Sequence, residues 1–188
     1  NLTDAFSGAL ARSLGPKILE EGGLSNIPLT DIQAAASYLP QADAIMSDPV
    51  KIEVSELKIS EKNDSASVKK YFENVFGIYK KTFFTLKEDD SAILLRVFTS
   101  ENFNELSALD PIIQAFSDSF FELKKLPVPK GWESFAIKEL ENLARSQQFI
   151  EKFRNSGSDP MATLILLPKR VELQSEMRKF HQDTGKLL

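Results

Sequence analysis

Three glutamates follow the single tryptophan of the chain and are the first candidates for chemistry. Glu133, Glu139 and Glu141 all come shortly after Trp132. Two carboxyl groups about 5–10 Å apart can hydrolyse a glycosidic bond, and a tryptophan ring can stack on a sugar. Helical spacing, however, puts Glu133 and Glu141 mostly outside the apolar face predicted for this segment, which is typical of solvated helix charges. A carboxylate-dependent glycan hydrolase is therefore an alternative, and a non-enzymatic protein is favoured.

Metal and nucleophile chemistry is largely excluded by composition. His181 is the only histidine, so no pair of imidazoles is available for zinc, and its place in KFHQD indicates a surface residue. Cysteine is absent, which excludes thiolate nucleophiles, disulfides and cysteine-ligated metals. No phosphate-binding glycine loop occurs, and EKNDS and KEDDS lack the register of a calcium loop. We predict no catalytic residue, no cofactor and no metal site.

The segment KLPVPKGW, residues 125–132, is the one candidate interaction loop. Pro127, Pro129 and Trp132 lie between two predicted helices. Because a residue before proline avoids the helical region, the segment is expected to be extended and stiff. The favoured interpretation is a rigid connector with Trp132 packed beneath it. The alternative is a recognition loop in which these three residues contact a partner.

Charge and apolar content restrict the partners. The net charge of −4 and the lack of a dense Lys/Arg stripe disfavour nucleic acid. Hydrophobic residues make up 42% of the chain and include 14 phenylalanines, enough for a folded core. No apolar run of about 18 residues is present, so membrane attachment is expected only through a segment outside this chain.

Two features suggest a location. Cysteine is absent, as suits an exported bacterial protein that avoids unwanted pairing, and the chain begins with Asn1 rather than Met. We expect an extracytoplasmic protein of the bacterial cell envelope, tethered through a segment outside this chain. An intracellular helical adaptor is the alternative.

Apolar residues recur at helical spacing along most of the chain. The pattern predicts an all-α protein, a bundle of about four to six helices. Residues 1–48 are expected to form a less regular helical or linker segment, and residues 49–188 the bundle domain. Residues 50–60 alternate like a strand, but no sheet partner is evident, so an extended lead-in is expected.

Local signals place the ends of the predicted helices. Asp64 or Ser65 is expected to cap a helix that ends near residue 86, and Asp110 to cap one that ends near residue 125. The longest helix, residues 132–155, is predicted to bury Gln147 partly, and Pro168 to kink or divide the last helix. The predicted core face of the longest helix consists of Ala136, Leu140, Leu143, Ile150 and Phe153.

These observations favour a non-enzymatic module for protein interaction or envelope assembly, which presents a helical face to a protein partner. A second possibility is a carrier of an apolar ligand in an aromatic-lined pocket. Such a pocket would draw on phenylalanines that otherwise belong to the core, namely Phe72, Phe76, Phe83, Phe116 and Phe120.

Overall fold

The protein is a helical bundle. The structure, a computed structural model, describes residues 48–158 and 160–186. Within this part of the chain there are five α-helices: α1 (Ser65–Thr82), α2 (Asp90–Ser100), α3 (Asp110–Lys125), α4 (Glu133–Arg154) and α5 (Pro160–Gly185). The predicted all-α fold is confirmed. The predicted N-terminal segment lies outside the described residues, apart from Asp48.

Short 3-10 helices occupy three of the connections. They run over Val54–Glu56, Phe103–Leu109 and Ser156–Ser158. The second of these lies between α2 and α3, so the acidic and apolar stretch after residue 88 is helical along most of its length.

Aspartates cap the first two helices. The Oδ1 atom of Asp64 accepts a hydrogen bond from the backbone N–H of Ser67 at 2.9 Å, as the sequence predicted. The Oδ1 atom of Asp89 accepts one from the N–H of Ala92 at 2.7 Å. Each carboxylate satisfies an N–H that the first helical turn leaves unpaired and lies at the positive end of the helix dipole.

The start of α3 differs from the prediction. Leu109, rather than Asp110, occupies the cap position, because the preceding 3-10 helix continues into α3 without a break. Asp110 is instead the first helical residue, and its Oδ1 accepts a hydrogen bond from Nε of Arg154 at 2.7 Å. This contact joins the beginning of α3 to the end of α4.

The hydrophobic core lies around α3 and α4, which pack closely against each other. All five residues of the predicted core face of α4 are buried. Gln147 is partly buried, as predicted, and its Nε2 donates to Glu151 Oε1 at 2.8 Å. The largest fully buried apolar side chains are Phe149, Phe153, Ile93, Leu106, Leu109, Leu140, Leu143, Ile150, Leu166 and Leu173.

Two three-residue strands form a small parallel sheet. Strand β1 (Lys58–Ser60) pairs with β2 (Pro127–Pro129), with Ile59 opposite Val128. Proline has no N–H, so β2 offers the ladder only the N–H of Val128, and the next N–H, that of Lys130, donates to Ser60 O at 3.1 Å. The second segment is extended, as expected. Of residues 50–60, which were expected to be an extended lead-in without a sheet partner, Val54–Glu56 is a 3-10 helix and Lys58–Ser60 is paired, so that expectation is wrong in both respects.

Helix α5 runs without division from Pro160 to Gly185 and contains Pro168. Of the predicted kink or division at Pro168, the division is therefore wrong. A proline in a helix removes one backbone hydrogen bond. Leu166 and Leu173, on either side of it, are almost fully buried.

Candidate binding site

A row of polar residues on α4 is buried among the apolar ones. Glu139, Asn142 and Ser146 follow at steps of three and four, so they share one face of the helix. All three are nearly inaccessible to solvent. The sequence interpretation named only Gln147 as a buried polar residue of this helix. The helical spacing of these three polar residues within an apolar segment is the sequence signal that could have predicted their burial.

Glu139 is the point where three helices meet. The hydroxyl of Tyr79, from α1, donates a hydrogen bond to Oε1 of Glu139. The Nε2 atom of His181, from α5, lies 3.0 Å from Oε1 and 2.8 Å from Oε2. The Glu139 side chain is 2% exposed and that of His181 is 44% exposed. A carboxylate so deeply buried is tolerated because these partners satisfy it.

The environment of Glu139 shifts the pKa of each neighbour. The hydrogen bond and the negative charge of Glu139 raise the pKa of His181, although burial of the ring opposes this. Burial, together with the charge of Glu139, raises the pKa of Tyr71 and Tyr79 well above the ordinary phenol value. The phenols therefore remain protonated near neutral pH, whereas the ordinary pKa of an imidazole lies close to it.

His181 is thus more than the surface residue that the sequence predicted. The residue is exposed, as expected, but its ring nitrogen contacts a buried carboxylate 42 positions earlier in the chain. Local sequence cannot show that contact, because KFHQD looks like an ordinary solvated end of a helix.

An aromatic cleft of about 310 Å³ opens beside this carboxylate. It is formed by α1, the beginning of α4 and the end of α5, and its main lining residues are Phe72, Phe76, Tyr79, Phe135, Glu139 and His181. The ring centroids of Phe72 and Phe135 are 4.9 Å apart, and Phe180 stacks on Phe135 at 5.3 Å. The walls are therefore mostly aromatic, and Glu139 is the carboxylate among the described lining residues.

A second, larger cleft of about 720 Å³ adjoins the first, and His181 lines both. The ion pair of Asp90 and Arg170 lies in its wall, with Oδ2 and Nε 3.0 Å apart and side chains 10% and 7% exposed. The Arg170 guanidinium also lies over the ring of Phe116, 5.8 Å from its centroid, and donates to Ser146 Oγ at 3.4 Å. These contacts satisfy the buried charges, so they stabilise the fold.

The residues of the predicted interaction loop have different surroundings. Pro127 is exposed and Pro129 is buried, both within β2. Trp132 is partly buried, with its ring centroid 4.9 Å from that of Phe72. Of the three, Trp132 lines a groove of about 740 Å³, which it shares with Phe72 and Phe76.

The three glutamates of the hydrolase alternative also have different surroundings. Glu133 Oε2 accepts a hydrogen bond from the N–H of Gly131 at 2.8 Å, and Glu141 Oε1 accepts one from the N–H of Ile52 at 3.4 Å. Only Glu139 of the three lines the aromatic cleft. The three carboxylates therefore have different partners, and one of them lies at the cleft.

Comparison of the chain with known proteins finds no similar protein. No family model matches the chain, and no curated protein or solved structure matches it. Within residues 48–158 and 160–186, no helix has both the length and the apolar character needed to cross a membrane. The same residues contain no group of three or more His, Asp or Glu side chains placed to hold a metal ion.

Proposed function

We propose that this protein is a non-enzymatic binding protein that takes a small, largely apolar molecule into the aromatic cleft. The observation that carries the proposal is the combination of aromatic walls with one buried, hydrogen-bonded carboxylate, that of Glu139. Small-molecule sites are typically concave and mostly apolar, with a few polar groups that orient the ligand. The cleft volume of about 310 Å³ falls within the usual range of about 300–1,000 Å³.

Contacts among the rings support a preformed site. Phe72 meets Trp132 and Phe135, each with a centroid separation of 4.9 Å, and Phe135 is in turn stacked on Phe180. Rings held in this way have little freedom left to lose when a ligand binds, which favours affinity. The same contacts connect the cleft to Trp132, the only tryptophan, so its fluorescence can report binding.

The test is native mass spectrometry of the purified protein, compared with the mass under denaturing conditions. We expect an excess mass that is lost on denaturation, or, for protein purified without ligand, saturable quenching of Trp132 fluorescence by added hexanol. A clean mass together with no response to hexanol would contradict the proposal.

Two glycine variants make the test specific for the cleft. Gly185 lines the cleft, and a Cβ added there meets no atom within 4 Å, so Gly185→Phe can place a ring at the site. Gly77, on α1, has equally open space but does not line the cleft, so Gly77→Phe is the matched control. Binding should be lost in the first variant and retained in the second.

A second candidate function follows from a different observation. Phe76 and Phe84 are 57% and 67% exposed, and their ring centroids are 6.0 Å apart. Exposed aromatic residues that lie together are typical of protein interaction sites. We therefore also propose that the protein presents Phe76 on α1 and Phe84 just after it to an apolar segment of a protein partner, as in an envelope assembly.

Photo-crosslinking in the producing cell tests this second function. A crosslinker at position 84 should give a defined adduct, whereas one at Leu95, an equally exposed apolar position on α2, should not. Equal labelling from both positions would argue against a specific partner. Fractionation of the same cells would check the expected location in the cell envelope.

A further inference from the structure

We propose that the ligand of the aromatic cleft is an organic cation, a small amine with an apolar tail, whose ammonium group replaces the imidazole of His181 at Glu139. The inference rests on the proposed small-molecule function and names its ligand class. It is based on a buried carboxylate, an exchangeable partner of that carboxylate, and the aromatic rings around both.

The buried carboxylate requires a cation. Within the described residues, Glu139 forms its one ion pair with His181, and its other hydrogen bond comes from the neutral hydroxyl of Tyr79. An ionised carboxylate that loses its only cationic partner inside a protein is strongly disfavoured. A positively charged group that displaces His181 keeps the carboxylate paired, and an ammonium group donates the same short, charge-assisted hydrogen bonds.

His181 is placed to be displaced. Its side chain is 44% exposed, whereas that of Glu139 is 2% exposed, so the imidazole covers the carboxylate from the solvent side. The ring also borders the larger neighbouring cleft of about 720 Å³. Because His181 lines both clefts, its side chain could turn toward the larger one and leave its place at the carboxylate to a ligand in the aromatic cleft.

The aromatic walls favour a cation over a neutral head group. Phe72, Phe76, Tyr79 and Phe135 line the same cleft as the carboxylate. The faces of such rings attract an ammonium group within about 6 Å, and arrays of this kind bind alkylated amines. A ligand carboxylate would instead be repelled by Glu139.

Competition between the amine and His181 predicts a pH dependence. At low pH the imidazolium holds Glu139, and as His181 loses its proton the amine meets a weaker competitor. Affinity for the amine should rise with pH, by up to about tenfold per pH unit, and level off once His181 is neutral. The charged and titratable groups that line the two clefts, or act on Glu139 from α1, are Tyr71, Tyr79, Asp89, Asp90, Glu139, Arg170 and Arg178.

The experiment compares three probes of equal length, hexylammonium, hexanol and hexanoate, by Trp132 fluorescence and by the NMR signal of His181. Both reporters occur once in the chain. At about pH 8 we expect hexylammonium to bind about tenfold or more tighter than hexanol, and hexanoate to bind weakest. The His181 signal should shift toward that of a solvated imidazole when hexylammonium binds.

Two variants test whether the preference for hexylammonium over hexanol depends on Glu139. Glu139→Gln keeps the shape and removes the charge, so the preference for hexylammonium over hexanol should disappear. Glu133→Gln, on the same helix but not lining the cleft, is the control and should keep it. An unchanged preference in Glu139→Gln would overturn the inference.

The remaining outcomes separate the inference from the function on which it rests. Equal binding of the three probes would leave the small-molecule function standing and overturn the inference. Failure of every probe to bind would overturn both. If Glu139→Gln does not fold, the pH dependence of hexylammonium binding to the wild-type protein is the test. An affinity that stays level or falls between about pH 6 and pH 8 would refute the exchange with His181.

Discussion

Nε2 of His181 lies 2.8 Å and 3.0 Å from the two carboxylate oxygens of Glu139, which joins a side chain at the surface of α5 to one buried in α4. Since His181 is the only histidine, any histidine titration of this protein reports that contact. The pair is therefore both a structural link between two helices and a natural probe of the cleft.

The first prediction concerns pH and stability. The folded-state pKa of His181 is raised above its ordinary value of 6.5, so the protonated form is stabilised by folding. This stabilisation is fully present below about pH 6.5 and is lost as the pH rises through the raised pKa. The melting temperature of the wild type, relative to that of His181→Gln, should therefore fall between about pH 5.5 and pH 8.5.

An NMR titration of His181 checks the same prediction independently. Its midpoint should lie above 6.5 in the folded protein. A midpoint at or below that value, or parallel melting curves for the wild type and His181→Gln across the pH range, would show that the ion pair does not stabilise the fold.

The second prediction concerns the buried pair of Asp90 and Arg170. Arg170→Met leaves the carboxylate of Asp90 buried without its cation, and we expect it to lower the free energy of unfolding by about 3–5 kcal/mol. Asp90→Ala combined with Arg170→Met removes both charges and should recover much of that loss. Urea denaturation of the two variants measures the difference.

An exposed ion pair on α1 provides the comparison for that experiment. The side chains of Lys70 and Glu73 are 71% and 54% exposed, and Nζ of Lys70 lies 4.0 Å from Oε2 of Glu73. Lys70→Met should change the free energy of unfolding by at most about 1 kcal/mol, because solvent screens the pair. Similar losses for Lys70→Met and Arg170→Met would mean that burial of the Arg170 pair has little energetic effect.

The third prediction compares two glycines with equally open surroundings. A Cβ added at Gly131 or Gly77 meets no atom within 4 Å, but Gly131 has a φ of +93°. Gly131→Ala should destabilise the protein by about 1–3 kcal/mol, because an L-residue is strained at that backbone angle. Gly77→Ala, in the middle of α1, should stabilise it by about 0.5–1 kcal/mol. Thermal melts in which both substitutions had the same sign would contradict this account.

The fourth prediction concerns the core. Phe153 is fully buried on the face of α4, and Phe153→Ala should cost about 3–5 kcal/mol through lost burial and the cavity left behind. Phe84 is 67% exposed, so Phe84→Ala should change stability by no more than about 0.5 kcal/mol. Chemical denaturation distinguishes the two, and a large loss from Phe84→Ala would show that this ring is part of the fold rather than free for a partner.

Local sequence signals were sufficient for most of the helices. The spacing of Leu140, Leu143 and Ile150 predicted the buried face of α4, because helical periodicity places such residues together regardless of what they contact. Asp64 was recognised as a cap because its hydrogen bond closes within three residues. At Pro168, by contrast, the local sequence left a kink or a division open, and the structure shows that α5 continues through the proline undivided.

The sequence by itself therefore determined the helical class, most helix ends and the apolar face of α4, all of which depend on residues within a few positions of one another. Only the tertiary structure decided the candidate site. It brings Tyr79 and His181, 60 and 42 positions away, to Glu139, and pairs β1 with β2. The physical reason is that a polar residue on a helix looks the same in sequence whether it meets water or a buried partner, and the packing of distant segments makes that choice.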